Sequence, residues 1–395
     1  CCHLHMSVPA AVLPINEHGL RDAFQVAARD FSPPSGQIQG LERSQDRGAL
    51  LWLLIFCLSG ISIGMCFELL DVHAGPATGT SFFVCLIGYW AQFLVAGAYA
   101  AYSGNVRKAV WSRGMLAALL ASAACDGAAQ ALDYVAQVEG GFMLFTIFHS
   151  SVTLFACLLA ILVLKTHVSW LQWLGVLLVV LGLFVTVLPN PVAAKRSFVV
   201  GLTTSLLGSF CLAASYPLSE LVFRLCPEPE RIPSEEESCV MGAMLNVIAF
   251  TVWTLIYTVP RWHESIVEPI LAAPQPSFAW ACTAYSLYGV AVGIHSLSFW
   301  KSVHRLGTVP TAVSKGAQQA GCFVCAHLLF CHSDRHECMT WNYGHSTWSH
   351  WQKPVSFIIC CFGVVVYSCG KADSGKHPQR VQQQVSFLGD ESPSP

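Results

Sequence analysis

Lys315 stands in an otherwise apolar run, with Gln318 and Gln319 one helical turn further along on a neighbouring face. Held at bilayer depth, an ammonium costs roughly 2.5 kcal/mol or more even on insertion scales, so it must face water or a partner. There it could recognise a phosphate or carboxylate while the two amides hydrogen-bond the remainder. The plainer alternative is a helix-locking salt bridge to Asp126 or Glu220. His149 lies beside Ser150, Ser151 and Thr153, and its titration range suits a proton-coupled step; equally, it could be a neutral imidazole bonded across helices. Asp126 and Asp133 are seven residues apart, two turns, and so share one helix face. Asp126 is the deeper and could couple to protons or to Lys315, whereas Asp133 is expected nearer the interface. Tyr216 and Glu220 are four apart and stacked, with Pro217 between them able to break the backbone ladder; Glu220 could instead simply pair with Arg224. Tyr285, Tyr288 and His295 fall on one face, for aromatic packing or for lining a cavity. The expected substrate-binding set is therefore Lys315, Gln318, Gln319, His149, Tyr216, Asp126, Glu220 and Tyr285, with no catalytic residue, metal or cofactor.

The elements that must position these groups follow from composition. Of 395 residues, 54% are hydrophobic and 11% charged, against about 25% charged in an ordinary soluble domain, and the mean hydropathy is +0.53. Lys and Arg (21) nearly balance Asp and Glu (23), which excludes the large basic field of a nucleic-acid binder. No phosphate-cradling G-x-x-x-x-G-K-[ST] run occurs, arguing against ATP-driven pumping by this chain alone. Most of the 18 cysteines sit in apolar runs and read as small buried hydrophobes; the one candidate bridge is Cys331 to Cys338. Residues 1–47 show no pattern of a basic segment, a compact apolar core and a cleavage site.

A hydrocarbon core about 30 Å thick needs roughly 20 apolar residues of helix. That ruler finds ten segments, near 48–70, 81–102, 115–136, 140–164, 169–188, 198–223, 239–259, 278–300, 306–331 and 355–370. The runs are continuous and do not alternate, so helices are favoured over a barrel. Counted from Arg29 onward, 14 basic residues fall on the N-terminal side and five on the other, which puts both termini in the cytosol. Long connections are read at 224–238, 260–277 and 332–354, the last rich in His and Trp. Its His332, His336, Cys338, His345 and His350 match no metal-ligand spacing. Trp170-Leu171-Gln172-Trp173 opens the fifth run and Trp351-Gln352 the tenth, followed by Gly182 and Gly363. Two five-helix halves, an odd number each, would insert with opposite orientation, a recurrent transporter design. The expected layout is a disordered cytosolic segment 1–47, repeats at 48–189 and 198–370, and a disordered tail 371–395. Gly60-xxx-Gly64 and Gly289-xxx-Gly293 read as close helix packing.

Several stretches then look familiar. Leu132-Asp133-Tyr134-Val135-Ala136, His149-Ser150-Ser151-Val152-Thr153 and Trp170-Leu171-Gln172-Trp173-Leu174-Gly175 resemble the third to fifth spans of the drug/metabolite transporter superfamily. Tyr216-Pro217-Leu218-Ser219-Glu220 and Thr311-Ala312-Val313-Ser314-Lys315-Gly316 are similar to sixth- and ninth-span segments of its solute carrier family 35 branch. The resemblance implies an all-α polytopic membrane protein of ten transmembrane helices in two inverted repeats, with alternating access to a central cavity. The expected function is exchange- or proton-coupled transport of a polar, anionic or nucleotide-sugar-like metabolite. The setting is an endomembrane or plasma membrane, with lipid and metabolite as partners, no nucleic acid, and a homodimer left open. Two other classes compete: a membrane-embedded metal enzyme using the His-rich loop, and a non-transporting scaffold.

Overall fold

The computed structural model describes residues 42–73, 80–104, 111–165, 168–185, 197–226, 232–273, 276–330 and 352–374. The chain is helical, with no strand among the described residues: α1 (Glu42–His73), α2 (Phe83–Ser103), α3 (Arg113–Gly140), α4 (Phe142–His149), α5 (Val152–Leu164), α6 (Trp170–Val185), α7 (Phe198–Arg224), α8 (Glu235–Trp253), α9 (Glu268–Ala272), α10 (Phe278–Leu306), α11 (Thr308–Phe330) and α12 (Gln352–Ser374). Starts are set by short polar side chains that satisfy orphan amides. Ser112, Ser197 and Ser277 each accept from the amide three residues on. Ser234 and Glu237 form a reciprocal capping box, as do Ser169 and Gln172 at the head of α6.

Among the described residues, five helices are long and apolar enough to cross a membrane: Gly48–Asp71, Phe83–Ser103, Arg113–Gly140, Val199–Arg224 and Glu235–Arg261. Three further apolar helices, Val152–Leu164, Trp170–Gly182 and Ile358–Tyr367, are shorter. Solvation is inverted relative to a water-soluble bundle. Leu50, Leu54 and Leu58, four apart on one stripe of α1, are 67%, 53% and 55% exposed, while Asp133, His149, Glu236, Lys301 and Lys315 are all buried. Aliphatic side chains outward and ionisable ones inward is the pattern that hydrocarbon solvent imposes.

Several boundaries differ from the sequence reading. The 140–164 run is divided. Gly141 (φ 85°, ψ 161°) separates α3 from α4 in a backbone region open to glycine, and the helical ladder tightens at Ser150-Ser151, where the Ser151 amide reaches only to Phe148 O. Neighbouring hydroxyls take up the carbonyls there: Ser209 and Ser151 donate to Phe148 O and Ser205 to Phe145 O, which is how membrane helices tolerate such breaks. Pro217, by contrast, lies inside an unbroken α7. The acidic run at the end of the 224–238 connection already belongs to α8. The 260–277 connection is largely helical: α8 continues through a π turn (Thr254–Thr258), a 3-10 turn (Val259–Arg261) and a second π turn (His263–Val267) into α9. The Cys331–Cys338 bridge, the His-rich stretch 332–350, residues 1–41 and the tail from 375 lie outside the described residues.

The packing is closest where glycines meet backbone. A Cβ on Gly175 would lie 2.6 Å from Tyr367 N and 2.7 Å from Gly363 O, and one on Gly363 would lie 2.8 Å from Gly175 O. α6 and α12 therefore cross in direct backbone contact, with Gly363 meeting Gly175. α2 packs against both α8 and α10, and α3 against α7. The two ends of this core are tied differently. Where α1 begins, Lys301 Nζ lies 2.5 Å from Glu236, both buried, and over the rings of Trp52 and Tyr99. Where α1 finishes, hydroxyl and indole groups bridge α8 and its continuation to the head of α2: Thr258 Oγ1 donates to Ser81 O at 2.7 Å and Trp253 Nε1 to Thr80 O at 2.9 Å.

Candidate functional site

Between these helices lies a cavity, partly open to solvent, lined from α1, α2, α3, α4, α7, α8, α10 and α11. Its polar furniture is ordered by helical spacing. Asp126, Gln130, Asp133 and Gln137 are spaced four, three and four apart and all face the cavity from α3. From α11, Lys315, Gln318, Gln319 and Cys322 do the same.

On the α11 side, Lys315 Nζ lies 3.1 Å from His295 Nε2 and 5.2 Å from the centre of the Phe56 ring. His295 stacks on Phe56 (ring centres 4.2 Å apart), and its Nδ1 is 3.0 Å from Phe56 O. A carbonyl only accepts, so Nδ1 carries the proton and Nε2 offers its lone pair to the ammonium. Lys315 is thus pinned by an imidazole and an aromatic face, leaving two N–H donors with no carboxylate within ion-pair reach among the described residues. Gln318 reaches over α1 because Gly60 has no side chain: a Cβ there would sit 1.5 Å from Gln318 Nε2.

On the α3 side, Asp133 Oδ2 lies 3.3 Å from His149 Nδ1. The tightened turn after His149 and the contact with Phe145 (ring centres 4.7 Å apart) hold this imidazole. Gly208 of α7 makes room for the carboxylate, since a Cβ there would be 2.3 Å from Asp133 Oδ1. Tyr89 donates to Asp126 Oδ2 at 2.8 Å. Ser122 and Ser219 bond each other at 2.8 Å, and Tyr216 meets Phe299 edge-on. Asp133 Oδ1, Gln137 Oε1, His149 Nδ1, Gln318 Oε1 and Asn246 Nδ2 are buried without a hydrogen-bond partner in the protein.

Of the residues picked from sequence, Lys315, Gln318, Gln319, His149, Tyr216 and Asp126 line this one cavity; Glu220 and Tyr285 do not. Glu220 pairs with Arg224 and accepts from Thr308 N at 2.6 Å, capping the helix that carries Lys315. Tyr285 packs edge-on against Phe83. Lys315 pairs with neither Asp126 nor Glu220, and Asp133 is buried on His149 instead of reaching an interface. Sequence reasoning passed over Tyr89, Gln92 and Asn246, which also line the cavity. The available signal was faint: each is a single polar or amphipathic residue in an apolar helix. No group of three metal-ligating side chains occurs among the described residues.

No family model matches the chain. No curated protein matches it either. A solved structure described only as the crystal structure of a protein is similar over 81% of this chain and 96% of its own, with a TM-score of 0.53 at 14% identity. That likeness concerns the fold alone.

Proposed function

We propose that this chain is a secondary transporter of the drug/metabolite superfamily, of the solute carrier family 35 kind. In this reading ten transmembrane helices form two inverted five-helix repeats that carry a polar organic metabolite, with Lys315 positioned for any anionic group it bears, by alternating access, coupled to exchange or to protons. The observation that carries it is the polar cavity, furnished with Lys315, inside helices whose outer faces are aliphatic. An ammonium presented with two free N–H donors is what an anionic group needs.

The geometry also supports a repeat. Gly141, between α3 and α4, and Gly307, between α10 and α11, share one unusual conformation (φ 85°, ψ 161° and φ 87°, ψ 174°). His149 and Lys315 each follow their glycine by eight residues. With α4 and α5 counted as one span and α9 as part of the seventh, α2 packs on the helix five spans later, as α6 does on α12. The contacts of Gly175 and Gly363 are reciprocal, as a two-fold relation requires. Basic residues concentrated on the N-terminal side put both termini in the cytosol of an endomembrane or plasma-membrane protein.

The test is counterflow in proteoliposomes loaded with nucleotides, nucleotide sugars, organic phosphates, carboxylates and amino acids. At least one compound should show saturable, trans-stimulated uptake. Lys315→Gln should weaken it about 10- to 100-fold, the worth of a hydrogen bond to a charged group. An absence of saturable exchange across the whole panel overturns the proposal.

A further inference from the structure

The cavity walls are not uniformly cationic, and the imbalance bears on the cargo. Among the described residues its lining carries two carboxylates, Asp126 and Asp133, and one ammonium, Lys315, with no arginine. The ammonium is occupied on one side by His295, so it compensates neither carboxylate at contact distance. Asp126 is satisfied by the Tyr89 hydroxyl. Asp133, 5% exposed, has an imidazole at one oxygen and nothing from the protein at the other. An ionised carboxylate oxygen can only accept, and leaving it unmatched in a buried site is costly. One turn along the same face, Gln137 Oε1 is also without a partner, as is Gln318 Oε1 on α11, whereas two lining nitrogens, Asn246 Nδ2 and His149 Nδ1 (the latter 3.3 Å from Asp133 Oδ2), have no hydrogen-bond partner. Three unpartnered oxygens against two nitrogens leave an excess demand for hydrogen-bond donors, and at Asp133 Oδ1, the oxygen away from His149, for a positively charged one. Lys315 meanwhile offers donors to an anion. Phe56, Phe145, Phe299 and Tyr216 line the same space with ring surface.

Building on the transporter reading, we infer that the cargo is a zwitterion. Its protonated amine is received by Asp133 and Gln137 on α3, its carboxylate or phosphate by Lys315 on α11, and an apolar body lies against the rings. Each charge is read by a different half of the chain, so one compound bridges the two halves. A purely anionic metabolite satisfies Lys315 but leaves Asp133 unmatched and adds like charge beside it. A simple amine leaves the ammonium of Lys315 without its counter-ion.

The test measures the affinity of the purified full chain, by counterflow inhibition and ligand-induced thermal stabilisation, for three matched probes. These are phenylalanine (both charges), N-acetylphenylalanine (anion only) and phenethylamine (cation only), extended to other amino acids and to phosphoethanolamine. Zwitterions should bind at least about tenfold better than either single-charge analogue, in line with one charge-assisted bond. Asp133→Asn should erase the preference over the N-acetyl compound and keep that over the amine. Lys315→Gln should do the reverse. Ratios within one variant are the readout, so partial loss of folded protein does not distort them; if Asp133→Asn fails to fold, Gln137→Leu should move the first ratio in the same direction. Saturable binding confined to anions without an amine, or a first ratio unmoved by these changes, overturns the inference and leaves the transporter reading standing. A panel in which nothing exchanges removes both.

Discussion

Adding one methyl group at Gly175 should loosen the α6–α12 crossing by a calculable amount. Its Cβ would meet Tyr367 N at 2.6 Å where ordinary contact begins at 3.4 Å, a shortfall of 0.8 Å; for Gly363 the shortfall against Gly175 O, at 2.8 Å, is 0.6 Å. The obstructing atoms are backbone, which cannot rotate aside, so the two helices must part. A gap of about 0.5–1 Å forfeits a quarter to a half of the dispersion well of the atoms involved, and overpacking of this kind costs about 1–3 kcal/mol. Both substitutions demand the same separation, so the double variant should cost little more than the worse single one. The resulting coupling is about 1–2 kcal/mol, where independent sites would add within about 0.5 kcal/mol. Gly97→Ala is the control, with nothing within 4 Å of its Cβ; helix propensity alone should make it neutral or stabilising by up to about 1 kcal/mol. Unfolding of detergent-purified protein, followed by tryptophan fluorescence, measures all four variants. Additive costs, or singles that match Gly97→Ala, would refute the backbone contact.

Two further perturbations probe the cavity and the bundle end. Gly208→Ala should push the Asp133 carboxylate by the 1.1 Å between 2.3 Å and ordinary contact, parting it from His149, lowering stability by about 1–3 kcal/mol and weakening exchange. Adding Asp133→Ala should recover stability but not exchange, and a fully active Gly208→Ala protein would contradict the placement. Lys301→Met leaves Glu236 charged and buried and should cost about 3–5 kcal/mol, while Lys301→Met with Glu236→Leu should cost far less; denaturant unfolding decides, and a tolerated single change would show the pair to be solvated.

Much of the fold could be read from apolar run lengths, because a hydrocarbon solvent demands continuous helix and so writes each element plainly into composition. The breaks were harder to see. Gly141 and Gly307 were both absorbed into apolar segments, since a glycine inside a run does not announce its φ, and serines at 150 and 151 are compatible with the helix they interrupt. Glu236 read as part of the 224–238 connection, and its burial, which depends on Lys301 65 residues away, left no local mark. In the cavity, Lys315, His149 and Asp126 stood out as ionisable groups against an apolar background. Glu220 stood out for the same reason, yet it caps α11, and type alone does not distinguish a cap from a ligand. His295 shared a face with tyrosines, and only the approach of Lys315 marks its role.

The unlike fastenings at the two ends of the bundle imply unlike ways of letting go. Where Ser81 and Thr80 receive hydroxyl and indole hydrogens from the α8 continuation, separation proceeds bond by bond, each exchanged for water at modest net cost. The Lys301–Glu236 contact is strong only while dry, because its attraction scales inversely with the local dielectric. The first water to wedge in weakens what excludes the next, so that end behaves as a snap fastener and the opposite end as a zip.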